Sequence, residues 1–273
     1  MSSYASLIVN LDLGPDAASR VALAARLAER FGARLIGSAS RSIIPALPLE
    51  AGFAAQTLIE QWREIAAEEL QEIEAGLIKL AGPAAGTALR TGMDEPTPFL
   101  VEQAHAADLL IIGRQGRSDH RDWRFAVDPG SILLEAGRPV LVVPPATDRL
   151  SAQRIVIAWK DTREARRAVW DALPFLKAAE EVFVFTAGES PETSGARGLQ
   201  DYLRQHGVNA RILPDATIRE ACIADELVER ARQEGADLLV SGAYGHSRTR
   251  EWILGGVTRD LLDHASICCL MSH

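Results

Sequence analysis

The sequence is poor in cysteine: its 273 residues contain three, Cys222, Cys268 and Cys269. So few cysteines exclude a small disulfide-built fold. Cys268 and Cys269 are neighbours in an apolar run, and adjacent residues of a strand point to opposite faces of the sheet, so we expect neither a disulfide nor a metal pair. We interpret them as small core residues of a protein in a reducing compartment.

The sequence also lacks an excess of basic residues and long apolar runs. Lys and Arg number 29 against 37 Asp and Glu, a net charge of -8, whereas a general nucleic-acid-binding protein needs a basic face. No apolar run approaches the ~20 residues of a membrane helix, and residues 1–4 include neither the basic nor the apolar part of a signal peptide. These absences predict a cytoplasmic protein with no nucleic-acid and no membrane partner.

Familiar catalytic and metal-binding motifs are missing as well. The six histidines include no i, i+4 pair and no H-E-x-x-H cluster, so we assign no metal ligands. There is no G-x-S-x-G nucleophile motif, no Gly-Lys-Ser/Thr phosphate loop, and no G-x-G-x-x-G after the first strand of either copy of the repeat described next. We therefore assign no catalytic residues.

The sequence does contain an internal repeat. The segment ADLLIIGRQGRS at 107–118 returns as ADLLVSGAYGHS at 236–247, in each case a buried-strand pattern followed at once by a glycine loop. Shorter apolar runs recur too: 7–12 and 155–160 near the start of each copy, and 139–143 and 267–271 at its end. The chain is therefore predicted to contain two copies of one domain, residues 1–148 and 151–273, joined by a short Pro-led linker.

Strand and helix patterns alternate within each copy. Apolar residues at helical spacing, as in 53–80, alternate with short and nearly continuous apolar runs, as in 108–112. This alternation predicts an α/β fold of two tandem doubly wound, Rossmann-like domains, each with a five-stranded, mainly parallel sheet. The expected helices are 16–31, 53–80, 96–105 and 130–136 in the first copy, and 163–177, 194–206 and 219–234 in the second.

The last strand of each copy, 140–143 and 267–271, is strongly apolar. An exposed apolar edge strand invites pairing with other chains. We therefore expect both strands to lie at a contact between the two domains or between subunits.

A candidate phosphate cradle follows the fourth strand of the second copy. Gly242 and Gly245 stand where this strand ends, and after nine intervening residues Gly255 and Gly256 open a helix that contains Thr258. Glycine lets backbone N–H groups approach a phosphate, and a helix N-terminus adds free N–H groups. The Thr258 hydroxyl would cap the helix or bond a phosphate oxygen. The alternative interpretation is that the glycines only form a turn and begin a helix.

With this arrangement the chain resembles a tandem universal stress protein. Nucleotide-binding members of that family have G-x2-G-x9-G-S/T after the fourth strand. The chain matches this pattern from Gly242 to Gly255 and departs from it at Gly256. They also have an acidic residue at the end of the first strand, a position held by Asp12 in the first copy and by Lys160 in the second.

The resemblance implies a stress-response protein that acts as an adenine-nucleotide-binding sensor or regulatory module. Its ligand would be ATP or another adenine nucleotide, with Mg²⁺ as a candidate companion ion. The two domains would pack about a pseudo-two-fold axis as an intramolecular pseudo-dimer, and a homodimer is a further candidate. Two alternatives stay open: a slow ATP hydrolase that uses the same pocket, and a scaffold that binds no nucleotide.

The two copies depart from the family pattern in opposite ways. The first keeps the acid, but alignment of Val140 with Cys268 places Val127 opposite Gly255, so its third glycine is missing. The second keeps the glycines and has Lys160 in place of the acid, either to pair with a phosphate or a neighbouring acid or as a surface lysine.

These departures decide where a nucleotide is expected. A hydrogen bond to a charged group contributes about 1.5–3 kcal/mol, and several such bonds depend on the glycine loop but only one or two on the acid. We therefore expect at most one nucleotide per chain, in the second copy.

Overall fold

The computed structural model describes residues 3–43, 52–81, 87–114, 122–187, 190–214, 223–245 and 256–273. The first half contains β1 (Ser6–Asn10), α1 (Ala17–Phe31), β2 (Arg34–Ser40), α2 (Gly52–Ala81), β3 (Ala88–Gly92), α3 (Pro96–Gln103), β4 (Leu109–Gly113), α4 (Pro129–Glu135) and β5 (Val140–Val143). The second half contains β6 (Arg154–Ala158), α5 (Arg163–Asp171), α6 (Leu173–Leu176), β7 (Glu181–Phe185), α7 (Ala196–Gln205), β8 (Ala210–Ile212), α8 (Ile223–Gln233), β9 (Leu238–Gly242), α9 (Gly256–His264) and β10 (Cys268–Ser272).

The strands form one continuous sheet in the order β3-β2-β1-β4-β5-β10-β9-β6-β7-β8. Pairing within each half is parallel, which confirms the predicted doubly wound α/β fold. The halves join where β5 and β10 pair antiparallel, with Leu141 opposite Leu270. The prediction that the last strands lie at a domain contact is confirmed. We call the β5–β10 pairing the seam.

The antiparallel seam decides where a site can form. Since parallel strands of one half all run the same way, their carboxyl ends share one edge of the sheet. The other half runs in the opposite direction. The carboxyl ends of β1 and β4 therefore lie at one edge of the sheet, and those of β6 and β9 lie at the opposite edge.

Helices cover both faces of the sheet, as parallel strands require. Side chains of α1, α2, α5, α6 and α7 share one buried cluster with alternate strand residues such as Leu7, whereas those of α3, α4, α8 and α9 share another with residues such as Ile8. Cys268 belongs to the first cluster and Cys269 to the second, so the two thiols point to opposite faces as expected. Within the described ranges, none of the helices has the length and apolar character needed to cross a membrane.

One expected helix proves to be two. The pattern predicted a single helix over 163–177, but α5 ends at Asp171 and α6 begins at Leu173. The cause is Pro174, which has no backbone N–H and whose ring would collide with the carbonyl four residues earlier in a continuous helix. The prediction of one helix here was wrong.

The aspartate of the repeated segment has the same structural role in both halves. Asp108 Oδ2 accepts hydrogen bonds from the backbone N of Ala5 at 2.7 Å and of Ser6 at 3.1 Å. Asp237 Oδ2 accepts them from Ser151 N at 2.8 Å and Ala152 N at 3.1 Å. Each carboxylate therefore ties the start of a fourth strand to the chain entering the neighbouring first strand.

Candidate functional site

The second-half candidate site lies at the carboxyl ends of β6 and β9, which are neighbouring parallel strands. After β6 the chain passes through Lys160 to Thr162, whose hydroxyl oxygen accepts a hydrogen bond from Ala165 N at 3.3 Å. This bond caps the N-terminus of α5, because it satisfies a backbone donor without an intrahelical partner. The glycine loop after β9 and the first turn of α5 therefore meet at one edge of the sheet.

Gly242 is required by the packing of α5 on the sheet. A Cβ atom at this position would lie 2.5 Å from the backbone N of Ala165 and 2.7 Å from the carbonyl carbon of Glu164. Both atoms belong to backbone, which cannot turn aside as a side chain can. The first glycine of the motif therefore has a structural reason that needs no ligand.

Gly245 faces polar atoms of α5. A Cβ atom there would lie 3.2 Å from Thr162 Oγ1 and 3.3 Å from Glu164 Oε2. The Glu164 side chain is only 10% exposed, and its other oxygen, Oε1, accepts a hydrogen bond from Arg163 Nε at 3.0 Å. A nearly buried carboxylate therefore faces the second glycine of the loop.

This carboxylate is ionised at neutral pH. Burial raises the pKa of Glu164, but hydrogen bonding to its own backbone N–H and the charge and hydrogen bonds of Arg163 outweigh burial. The net pKa lies below the ordinary value for glutamate. Glu164 was not predicted from the sequence, in which its position two residues after a Thr helix cap is the available signal.

The glycine loop is joined to the first turn of α9. Tyr244 N donates a hydrogen bond to Thr258 Oγ1 at 3.2 Å, and Thr258 is buried. Among the described residues, no atom lies within 4 Å of where a Cβ atom of Gly256, the first residue of α9, would stand. Gly255 lies outside the described residues. Thus Gly242, Gly245, Gly256 and Thr258 belong to one connected region, and Thr258 binds the loop directly.

The two charged candidates lie at opposite edges of the sheet. Lys160 is exposed just beyond the end of β6, the strand that pairs with β9. Asp12 follows β1 in the first half, where its Oδ2 lies 2.8 Å from Arg20 Nη2 and its Oδ1 accepts a hydrogen bond from Gly14 N. Asp12 is therefore not brought together with the second-half residues.

The corresponding first-half region has an arginine against its glycine and a buried apolar segment. A Cβ atom at Gly113 would lie 2.8 Å from Arg20 Nη1, so the Arg20 side chain lies against this glycine. Phe125 and Val127 are both buried in the core. Gly116 lies outside the described residues.

Ion pairs hold the segment that contains Phe125. Arg124 pairs with Asp122 and lies 3.1 Å from Glu69 of α2, and Glu69 also pairs with the buried Arg41. Ser42 N donates a hydrogen bond to the carbonyl oxygen of Arg124 at 2.8 Å. Residues 122–128 are thereby fixed over the carboxyl end of the first-half sheet.

The family model described as the universal stress protein family matches residues 3–144 and again residues 151–273. The chain belongs to the universal stress protein family. No curated protein matches it.

Two solved structures are similar to this universal stress protein over nearly its whole length. One is a universal stress protein from Archaeoglobus fulgidus DSM 4304, with 14% sequence identity, a TM-score of 0.70, and coverage of 98% of this chain and 95% of that chain. The other is a functionally unknown protein from Pseudomonas aeruginosa PAO1, with 14% identity, a TM-score of 0.58, and coverage of 98% and 92%. At these identities the likeness establishes the fold.

The strand register corrects the alignment of the two universal stress protein repeats. Val140 pairs with Leu110, and Cys269 pairs with Leu239, the residue that occupies the same place in the repeated segment as Leu110. Val140 therefore corresponds to Cys269, and the expected match with Cys268 was wrong by one residue. Both cysteines are buried, one on each face, so their apolar character could not decide the register.

The corrected register changes which residues correspond at the candidate site. Gly256, not Gly255, now stands opposite Val127, and Thr258 stands opposite Pro129. Proline offers neither a hydroxyl nor a backbone N–H. The bond that joins Thr258 to the glycine loop in the second half therefore has no side-chain counterpart at the corresponding position in the first.

Proposed function

We propose that the second half of this universal stress protein binds an adenine nucleotide, ATP or ADP, and that the protein acts as a nucleotide-dependent sensor in a stress response. The observation that carries the proposal is the hydrogen bond from Tyr244 N to Thr258 Oγ1. It joins the two parts of the family's phosphate-binding pattern, the loop after the fourth strand and the start of the following helix. The buried thiols of Cys268 and Cys269 fit a reducing cytoplasm, where we infer that the protein works.

The phosphates would be held by backbone donors at this edge. The first N–H groups of α9, beginning with Gly256, have no intrahelical acceptor and lie at the positive end of the helix dipole. Gly256 has no side chain and no described atom near its Cβ position, which suits the approach of a ligand. Lys160 is exposed at the neighbouring strand end and adds a positive charge nearby.

Glu164 opposes this function, because its ionised carboxylate faces Gly245. It favours a second candidate, a scaffold in which the carboxylate takes the place of an anionic ligand. Mg²⁺ carried by the phosphates would offset the repulsion between carboxylate and phosphate. No group of three or more His, Cys, Asp or Glu side chains in the described ranges is arranged to hold a metal, so the ion would arrive with the nucleotide.

The proposal is tested by the number of nucleotides bound. Calorimetric titration with ATP, and separately with ADP, should give one site per chain, because the first half lacks a counterpart of the Thr258 bond and its corresponding segment contains the buried Phe125 and Val127. Mass spectrometry of ligand released by denaturing the purified protein would identify the natural nucleotide. Two equivalent sites would contradict the assignment to one half, and no binding would favour the scaffold. A phosphate-release assay on the same sample separates a sensor from a slow hydrolase.

Removing the negative charge of Glu164 should strengthen the binding of ATP. Two unit charges about 5 Å apart interact by about 3 kcal/mol at an effective dielectric constant of about 20, and partial neutralisation reduces this. We expect Glu164→Gln to bind ATP without added Mg²⁺ about tenfold more tightly than the wild type, by calorimetry. Glu229→Gln is a matched control, because it removes the same charge from a 43%-exposed acid of α8. Equal affinities of wild type and Glu164→Gln would contradict a role for this carboxylate.

A further inference from the structure

Tyr244 stands between the two loop glycines in an uncommon backbone conformation. Its φ angle is 57°, in the left-handed region that non-glycine residues rarely adopt. A residue stays in such a conformation only when the surrounding structure determines it. The contacts of Tyr244 therefore explain how the glycine loop is held.

Contacts with the second half fix the backbone of this loop. Tyr244 N donates to Thr258 Oγ1 at 3.2 Å, as described above. The ring of His273 packs edge-on against the Tyr244 ring, with centroids 6.4 Å apart, and His273 Nδ1 lies 3.1 Å from the carbonyl oxygen of Ala243. The helix α9 and the last residue of the chain both hold the loop.

The hydroxyl of Tyr244 reaches across the seam to the first half. A Cβ atom at Gly130, in the first turn of α4, would lie 2.8 Å from the Tyr244 hydroxyl oxygen. Asp128 caps the same helix by accepting a hydrogen bond from Ser131 N at 2.7 Å. Burial raises the pKa of Tyr244, and the negative charges of Asp128 and Asp263 raise it further. The neutral hydroxyl is therefore packed at the N-terminus of α4.

The first half makes a corresponding contact in the other direction. Arg114, which directly follows β4, donates a hydrogen bond from Nη1 to the carbonyl oxygen of Ala265 at 3.2 Å, just beyond α9. In both halves, a residue shortly after the fourth strand reaches a helix region of the other half. The chain that follows β4 is thus in contact with the residue after α9, and the chain that follows β9 is in contact with the first turn of α4, in both cases across the seam.

We propose that Tyr244 is a positioning residue through which the first half sets the conformation of the second-half glycine loop, and with it the affinity for nucleotide. The affinity part rests on the proposed function, whereas the conformational part does not. The absence of a side chain at residue 130 leaves room for the hydroxyl, and the hydroxyl in turn positions the loop that contains Gly245. The first half is then part of the second-half site, although it holds no ligand itself.

The test is a pair of substitutions on the two sides of the seam. Gly130→Ala adds the Cβ atom that would lie 2.8 Å from the hydroxyl, and Tyr244→Phe removes the hydroxyl oxygen. Wild type, both single variants and the double variant are compared by calorimetry with ATP and by amide hydrogen exchange of residues 243–245. Gly198→Ala in α7 is the control, because a Cβ atom there would meet no atom of the described residues within 4 Å.

We expect Gly130→Ala to weaken ATP binding about five- to tenfold, the scale of coupling between residues in contact, and to change exchange of the loop amides. The double variant should match Tyr244→Phe alone in both measurements, since alanine at 130 then meets no hydroxyl. A double variant that binds ATP more weakly than Tyr244→Phe alone, or no effect of Gly130→Ala on the loop amides, would overturn the proposal. If the wild type binds no ATP, the proposed function fails, and the exchange pattern alone decides the positioning role.

Discussion

Valine at position 245 should abolish nucleotide binding while the fold remains. The branched side chain would occupy the space through which a phosphate must approach the loop backbone. Its Cβ would also lie 3.2 Å from Thr162 Oγ1 and 3.3 Å from Glu164 Oε2. Several hydrogen bonds to charged phosphate oxygens would be lost at about 1.5–3 kcal/mol each, so calorimetry should show at least about a hundredfold weaker ATP binding.

The control for Gly245→Val shows whether the loss of ATP affinity comes from the glycine loop or from a valine side chain added anywhere in the protein. Gly198→Val places the same side chain on α7, where, in the part of the chain that the structure describes, no atom lies within 4 Å of the Cβ position. Gly245→Ala should give an intermediate loss of affinity, because it adds the tight Cβ contacts without the γ carbons. Far-UV circular dichroism of the variants should match that of the wild type. Equal ATP affinity in wild type and Gly245→Val would exclude the loop as the phosphate site.

The fold could be predicted from the sequence because its information is periodic and repeated. The copies of the ADLL segment each give a buried strand and a glycine turn, and alternation with helical patterns leaves parallel pairing as the natural arrangement. The apolar character of 140–143 was enough to predict a contact at β5, because an exposed apolar edge is unfavourable. The apolar character of these strands did not decide whether they meet within one chain or between subunits. It therefore did not predict that the two five-stranded sheets form one sheet across the seam.

The details of the site depend on contacts between residues far apart in sequence. Glu164 faces Gly245, and the hydroxyl of Tyr244 reaches Gly130 across the seam. No spacing rule relates either pair, because the antiparallel seam and the packing of α5 on β9 bring them together. The burial of Phe125 is an intermediate case: the sequence indicated that its segment lacks the third glycine, but not that it belongs to the core.

The glycines at the ends of β4 and β9 show why a repeated residue need not have a repeated role. Strand pairing places Gly113 and Gly242 at the same position of the two halves. Gly113 leaves room for the Arg20 side chain, because a Cβ atom at residue 113 would lie 2.8 Å from Arg20 Nη1. Gly242 leaves room for the backbone of α5, because a Cβ atom at residue 242 would lie 2.5 Å from Ala165 N. The sequence shows the same residue at both positions and cannot distinguish these causes.

Gly113→Ala and Gly242→Ala should therefore lower the free energy of unfolding by unequal amounts. We expect Gly242→Ala to lower the free energy of unfolding by about 3 kcal/mol or more, the upper end for overpacking, since α5 must shift away from β9. Gly113→Ala should cost about 1 kcal/mol, because the end of the Arg20 side chain can move. Urea denaturation of both variants, followed by circular dichroism, measures the difference. Equal losses, or a greater loss for Gly113→Ala, would contradict the helix-packing role of Gly242. Since neither glycine has a positive φ angle, the difference would arise from the neighbouring atoms rather than from backbone conformation.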